Sequence, residues 1–418
     1  MNPVPDTKFD LKQHIAAWYI IFMLNMLHIV IGNVLHISTQ LLGGIFMAGF
    51  CAAILILPDN REQDRYSYTA WVCLFFLVMS LPYFLVNTNY DPFANVSCYI
   101  RVIGIFFMFH ALRSFKGPKI PELFFRVSAV TLLLQSIALV IFIVDPNVSK
   151  ALFYIETKSD LDNIDFLTRF SGTVGEINIL PYLCLFSGTV LLSPQIKELH
   201  PRLKKTFLRG VIILFTGCCF LLSGSRGAAV AALLLITRAI WQRKLLMFSF
   251  FLLLALTFGL WHSAGPSLLA ELSNFLGENN IFERLFGNDS HAAQMAEVSA
   301  ELRWTIAQDA LTVFWRNPFA VRGIFFANYF AEFGLPHCGP IYLLFSYGIT
   351  GLYPIYIFFV KNYFIARRNH TFPIYIISLP LLFLSVDSFY FFVLPWMSIG
   401  LEKLTSAEPA PVEEDTAT

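Results

Sequence analysis

Ten stretches of this chain are apolar enough to enter a lipid bilayer, and no other feature limits its fold as strongly. They run at 15–34, 41–57, 68–86, 96–112, 123–144, 177–192, 207–222, 228–240, 245–261 and 338–360. A helix of roughly 20 predominantly apolar residues crosses the hydrocarbon layer, and all but the short 228–240 run come near that length. An eleventh run, 372–400, contains Asp387, Ser388 and Pro395. It is too long for one crossing and short for two, and it reads as a re-entrant pair. Backbone polar groups in hydrocarbon must be satisfied internally, so these runs predict helices. The expected fold class is an all-α polytopic membrane protein with about twelve transmembrane helices. Composition agrees. Of 418 residues, 56% are hydrophobic and 44 are Phe, whereas soluble domains sit near about 45–50% apolar.

Lysine and arginine orient the helices. With the N-terminus inside, the inner loops hold Lys8 and Lys12, Arg61 and Arg65, Arg113 to Lys119, Lys197 to Lys205, Arg238 to Lys244, and Lys361 to Arg368. Short outer turns such as "NTNYDPFAN" (87–95) hold none, as the positive-inside rule requires. The first run follows a polar stretch and has no small-residue cleavage site, so it reads as a retained anchor. The chain divides into helices within 1–261, which include an outer segment at 145–176, then a large outer loop at 262–337. Further helices follow at 338–402, and 403–418 is expected to be a disordered cytoplasmic tail.

Within the large loop, "DSHAAQMAEVSAELRWTIAQDALTVFWRNP" reads as a helix. Asp289 or Ser290 can cap its start. Met295, Val298, Leu302, Ile306, Ala310 and Val313 recur at helical spacing, and Asn317-Pro318 ends it. The net charge of +1 suggests no nucleic-acid partner. Cys51, Cys73, Cys98, Cys184, Cys218, Cys219 and Cys338 lie mostly in apolar runs and have no metal or disulfide spacing, so they read as packing residues. The chain shows no nucleotide-binding motif and no metal-binding motif.

The candidate chemistry is cationic and lies on the outer side. In "LLSGSRGAAV" (221–230) two apolar helices meet at a turn holding Arg226. A charge at that depth needs a partner, and Gly224 and Gly227 let backbone approach something bulky. A snorkelling arginine in a tight turn would also account for the stretch. An anion site is the sharper reading, and lipid-linked phosphate is the anion available there. Arg169, in "TRFSGTVGEINILPY", is an interfacial anchor or a second phosphate ligand. Arg303, in "AELRWTIAQDA", is a solvated helix-face charge or a third. A guanidinium fork matches phosphate oxygens, and three arginines from three segments can clamp one pyrophosphate. His337 stands where the loop meets the next helix and can accept a proton from a hydroxyl near neutral pH. Asp387, an acid within an apolar run, is a further candidate, and an interfacial turn with Ser388 and Tyr390 explains it equally well.

These residues carry a resemblance. The chain resembles the O-antigen ligase/polymerase superfamily of bacterial polyprenyl-linked glycan transferases over most of its length. "SGSRGA" (223–228) sits at a helix junction, "RFSGTVGEINILPYL" (169–183) resembles the family's Arg-x-x-Gly segment, and Arg303 followed by Asn317-Pro318 resembles its loop helix. "HCGPIYLLFSYGITGL" (337–352) resembles its His-Asn-x-x-Leu pattern with two later glycines. Cys338 stands where Asn is usual, Ser346 stands where an acid is common, and "PFAVRGIFF" keeps one glycine where two are frequent. The resemblance implies a GT-C-like fold with one large periplasmic loop containing helices, in the bacterial inner membrane. It implies an undecaprenyl-pyrophosphate-linked oligosaccharide as donor, with membrane lipid and a chain-length regulator protein as partners, and neither metal nor other cofactor. Arg169, Arg226 and Arg303 would bind the pyrophosphate, and His337 would act as general base. The expected activity is an O-antigen or capsular repeat-unit polymerase, with a ligase to lipid A-core as the alternative. A lipid-linked oligosaccharide flippase is the reading from another class. A transporter usually shows two related halves with charges at mid-membrane, whereas here the halves are unlike and the charges gather on one face.

Overall fold

The computed structural model describes residues 8–56, 71, 74–75, 78–79, 112, 115, 119–153, 170–174, 179–223, 225–240, 291–322, 338–368, 373–377 and 379. Among these residues the structure is helical, without strands. Asp387, the expected span at 245–261, and most of those at 68–86, 96–112 and 372–400 lie outside them. Among the described residues three helices are long and apolar enough to cross a membrane, or up to four if a bent pair counts as one span.

The bent pair is the first surprise. The 15–34 run reads as one crossing, yet it folds as α1 (Leu11–Leu24) and α2 (Leu27–Leu35), inclined at 71°. The start of α1 follows from a capping box: the Asp10 carboxylate accepts from the Gln13 N–H at 2.8 Å, and the Gln13 side chain accepts from the Asp10 N–H at 3.1 Å. Its end is set by Asn25 and Met26. The Asn25 side-chain amide donates to the Ile21 carbonyl at 2.9 Å, and Met26 turns left-handed at φ 49°, which stops the ladder. Helix α3 (Thr39–Ile56) returns alongside, with Tyr19 and Phe50 stacked 3.5 Å apart.

The densest part of the molecule surrounds α4 (Lys119–Val144). It packs on α1, on α6 (Leu180–Leu191) and on the short α5 (Pro146–Phe153) that follows it. Helix α8 (Thr206–Ser223) covers the other side of α6. Phe124, Ala138, Leu180 and Cys184 are wholly buried in this core. On its far face α4 exposes Leu133, Ile137, Val140 and Val144. Their spacing of three and four residues makes one continuous apolar stripe. Such a stripe is a liability in water and the ordinary state in lipid.

At the start of α4 a carboxylate is held by an arginine and a histidine. Glu122, 8% exposed, accepts from Arg126 Nε at 2.6 Å and lies 2.8 Å from His200 Nε2. Arg126 also lies 4.2 Å over the Phe9 ring, and His200 stacks on Phe125. This ties the basic connection through α7 (Pro194–Leu199) to the foot of α4. Desolvation, and secondarily the nearby Arg209, lowers the Lys197 pKa.

Helix α9 (Arg226–Ile240) follows α8 after one short break. Helix α10 (His291–Arg316) is the expected loop helix and stops before Asn317-Pro318. Its buried stripe is Ile306, Ala307, Ala310 and Phe314. Leu302, which recurs at the same helical spacing, is 58% exposed. The cause is length. Helix α11 (Gly339–Tyr347), which covers α10 through Ala310 and Phe345, has only nine residues and reaches only part of the 26-residue α10. Trp304, Trp315 and Phe319 are exposed as well, at 66%, 72% and 75%. Aromatic side chains of this kind favour a membrane–water boundary. Beyond α11 the chain continues helically to Arg367 through a 3₁₀ turn (Gly348–Gly351), α12 (Leu352–Ile355), a π turn (Tyr356–Lys361) and α13 (Asn362–Arg368).

Candidate functional site

The described part of the site is built on two polar junctions. The first lies at the α1–α2 break. Asn25, Thr131, Gln135 and Thr173 are all buried and bonded to one another. The Asn25 amide donates to Thr131 Oγ1 at 3.0 Å, and Gln135 Nε2 donates to Asn25 Oδ1 at 2.9 Å and to Thr173 Oγ1 at 2.7 Å. The Thr173 N–H donates back to Gln135 Oε1 at 3.0 Å. Both ends of the Gln135 amide are therefore used. Amide and hydroxyl groups buried among apolar helices are costly unless paired, and pairing them there specifies one arrangement.

The partner of Gln135 is the turn Gly172–Val174, the described end of the 145–176 segment. Gly172 has φ +58°, and a Cβ there would meet the Gln135 oxygen and Leu180, so glycine is the residue that fits. Phe170, Thr173 and Val174 are buried. Counting along α4 at 1.5 Å per residue, Gln135 lies about 24 Å above Lys119 and about 13 Å below Val144. The turn therefore lies inside the helical layer rather than over it. Irregular backbone at such depth persists where protein surrounds it.

Immediately before this turn, the Phe170 N–H donates to the Leu222 carbonyl at 3.2 Å. Arg169 precedes Phe170 and lies outside the described residues. Leu222 is four positions before Arg226. The bond therefore joins the two stretches that carry Arg169 and Arg226. Arg226 opens α9 as its first residue, with its backbone alone described. Ser225 caps that start, accepting from the Ala229 N–H at 3.1 Å through its carbonyl and from the Ala228 N–H at 3.4 Å through its hydroxyl. A helix N-terminus beside an arginine favours an anion twice over.

The second junction joins α10 to α11. Arg322 lies six residues after the end of α10. Its Nη1 donates to the Phe345 carbonyl at 3.1 Å, and its Nη2 donates to the carbonyls of Val313 at 3.1 Å and Asn317 at 3.4 Å. The Arg322 N–H donates to the Ser346 carbonyl at 2.7 Å, and the Ile349 N–H to the Pro318 carbonyl at 2.7 Å. Val313 and Phe345 belong to the last turns of their helices, where carbonyls lack intrahelical donors. One guanidinium thus closes two helix ends, each carrying partial negative charge. Gly348 permits the contact. Its φ of 58° and ψ of −146° are accessible only to glycine, and a Cβ would strike the Pro318 and Ala320 carbonyls.

The clasp joins the C-terminal turns of α10 and α11, and Arg303 stands well before that turn on α10. Arg303 is half-buried on α10. His337, outside the described residues, precedes Cys338, the N-cap of α11. The Cys338 carbonyl accepts from the Tyr342 N–H at 2.8 Å. Leu343 and Tyr347 of α11 are buried in the same core as α4, α6 and α8. The Phe170–Leu222 bond lies next to the stretches bearing Arg169 and Arg226, whereas Arg303 lies on α10, whose Ala310 packs with Phe345 in a cluster of its own. Asp387 lies outside the described residues.

Sequence reasoning passed over Gln135, Asn25, Thr173 and Arg322. The signal for Gln135 was a single amide within "AVTLLLQSIALV" (129–140), a residue type that bonds between helices in membranes. Arg322 had no local signal.

No family model, no curated protein and no solved structure matches this chain.

Proposed function

We propose that the chain is a glycosyltransferase of the bacterial inner membrane that works on the periplasmic face. The donor is a glycan on undecaprenyl pyrophosphate, and the activity is polymerisation of O-antigen or capsular repeat units. The observation that carries this reading is the Phe170–Leu222 hydrogen bond, because it tethers the Arg169 and Arg226 stretches beside a helix N-terminus. Convergent arginines below an outer surface suit a lipid-borne pyrophosphate better than a soluble anion. The resemblance of "SGSRGA" and "HCGPIYLLFSYGITGL" to the glycan-transferase superfamily supports the same reading.

In this mechanism Arg169, Arg226 and Arg303 hold the pyrophosphate and stabilise the charge that develops as it leaves. His337 takes the proton of an acceptor hydroxyl. That oxygen bonds to the donor's anomeric carbon as the carbon–phosphate-oxygen bond breaks, and undecaprenyl pyrophosphate departs. The energy lies in the pyrophosphate ester, so the residues need only orient, neutralise and move one proton.

The experiment is glycan transfer by purified variants. Arg226→Ala and Arg303→Ala abolish transfer while still inserting, and Lys at either position restores only part, because it offers a point charge and not a fork. His337→Ala lowers the rate roughly 10²–10⁴-fold. Full activity in both Ala variants would remove the clamp. In cells, deletion of the gene leaves lipopolysaccharide capped with a single repeat or abolishes the capsule. Long chains on undecaprenyl pyrophosphate beside bare lipid A-core would show a ligase instead.

A further inference from the structure

We propose that α8 and the connection before it hold one anionic phospholipid, with its phosphate between Lys197 and Arg209 and an acyl chain along the exposed face of α8. The site lies at the end of α8 away from Ser223 and Arg226, apart from the glycan chemistry proposed above. Residues 193–209 carry Lys197, Arg202, Lys204, Lys205 and Arg209 against one acid, Glu198. The fold gathers these charges instead of spreading them. Helix α7 leads at once into a 3₁₀ turn (Pro201–Lys204) and then into α8. Ile196 and Leu203 are buried beneath the connection. The His200 N–H donates to the Ile196 carbonyl at 2.8 Å, and the Arg209 N–H to the Lys205 carbonyl at 3.2 Å. Lys197 and Arg209 end close together: beside the larger effect of desolvation, the Arg209 charge helps to lower the Lys197 pKa. Arg202, Lys204, Lys205 and Arg209 are exposed. Among the described residues no carboxylate pairs with any of the five, and the nearby Glu122 is held by Arg126 and His200. Like charges so placed repel until an anion joins them.

The apolar half of the site begins where the basic half stops. Helix α8 turns Ile212, Thr216 and Cys219 inward. Its opposite face presents Phe207, Gly210, Leu214 and Gly217 at spacings of three and four. Phe207 is 83% exposed, and Leu214 is exposed as well. Nothing lies within 4 Å of where a Cβ would stand on Gly210 or Gly217, so the face carries two hollows beside bulky side chains. From Phe207 to Gly217 the helix rises about 15 Å. That is half of a hydrocarbon layer about 30 Å thick, the depth of one leaflet. A phosphate at the height of Arg209 therefore lets one acyl chain run the length of this face. The guanidinium fork and the Lys197 ammonium both suit phosphate oxygens. A soluble anion would use the basic half alone, and a neutral lipid the apolar half alone. An anionic phospholipid uses both.

The test titrates the full-length protein in neutral detergent with phosphatidylglycerol and counts bound lipid by native mass spectrometry. One phosphatidylglycerol binds saturably, and phosphatidylcholine with the same acyl chains binds more weakly. Lys197→Gln and Arg209→Gln each weaken phosphatidylglycerol about fivefold, the scale of one basic side chain's attraction to an anionic lipid. Neither lowers the melting temperature of the lipid-free protein, because each removes a repulsion, and this separates lost binding from lost folding. Gly210→Leu fills a hollow where nothing else stands and weakens the lipid without changing any charge. Arg367→Gln, an exposed cation on α13, leaves binding unchanged. Equal loss in Arg367→Gln would reduce the site to general surface charge and overturn the proposal. Equal affinity for phosphatidylcholine would overturn it as well. Competition by inorganic phosphate, with full lipid binding in Gly210→Leu, would show a site for a free anion instead.

Discussion

The two junctions solve one problem in opposite ways. At the α1–α2 break, a piece of irregular backbone is held by side chains that are buried and bonded to each other. At the α10–α11 junction, irregular backbone is held by one long cationic side chain reaching helix-end carbonyls. The first arrangement works where water is excluded, because neutral amide bonds gain strength in a low-dielectric interior. The second works near a boundary, beside exposed Trp315 and Phe319, because a guanidinium keeps part of its hydration while bonding. The first is therefore rigid and unforgiving of substitution. The second concentrates its side-chain bonding in one residue, backed by the backbone bonds Arg322–Ser346 and Ile349–Pro318.

The largest effect should separate them at their glycines. Gly348→Ala meets backbone carbonyls at a conformation reserved for glycine and costs about 1–3 kcal/mol from backbone strain alone. Gly172→Ala meets side chains, and its left-handed conformation costs about 1–2 kcal/mol. Thermal unfolding in detergent should show the larger drop for Gly348→Ala, and the reverse order would mean that the side-chain network is the stiffer of the two.

Arg322→Ala comes next, at about 1.5–3 kcal/mol for hydrogen bonds made by a charged group. Arg322→Lys should recover little, since an ammonium cannot reach the two helix ends in one plane. Recovery by lysine would reduce the clasp to a charge at a helix terminus. Glu122→Gln tests the inner end of α4 and should cost about 1 kcal/mol, because a neutral amide keeps part of the bonding to Arg126 and His200.

How far the sequence could be read follows from the same contrast. Helix α10 was legible to within a residue or two, because its capping residues and Asn317-Pro318 are local signals. The packing of α10 was only half legible: Ile306, Ala310 and Val313 have the right period, yet periodicity cannot say that α11 is too short to cover Leu302. The α1–α2 break was illegible, since 15–34 is apolar throughout and what bends it is a bond from Asn25 to residues more than a hundred positions away. Arg169, Arg226, Arg303 and His337 stood out because charge is conspicuous in an apolar chain. Gln135 and Arg322, which hold the segments bearing them, differ from ordinary residues only in what they touch.

Because α1 ends after 14 residues, it climbs only about 21 Å, well short of a hydrocarbon layer about 30 Å thick. With α1 upright, the 71° turn sends α2 sideways rather than onward. Lipids beside the exposed Trp18, Val34 and Leu35 then face a low corner, and the bilayer thins to meet it. Acyl-chain length thereby becomes a variable of the protein's surroundings: short-chain bilayers fit this corner at rest, and thick ones must be deformed around it.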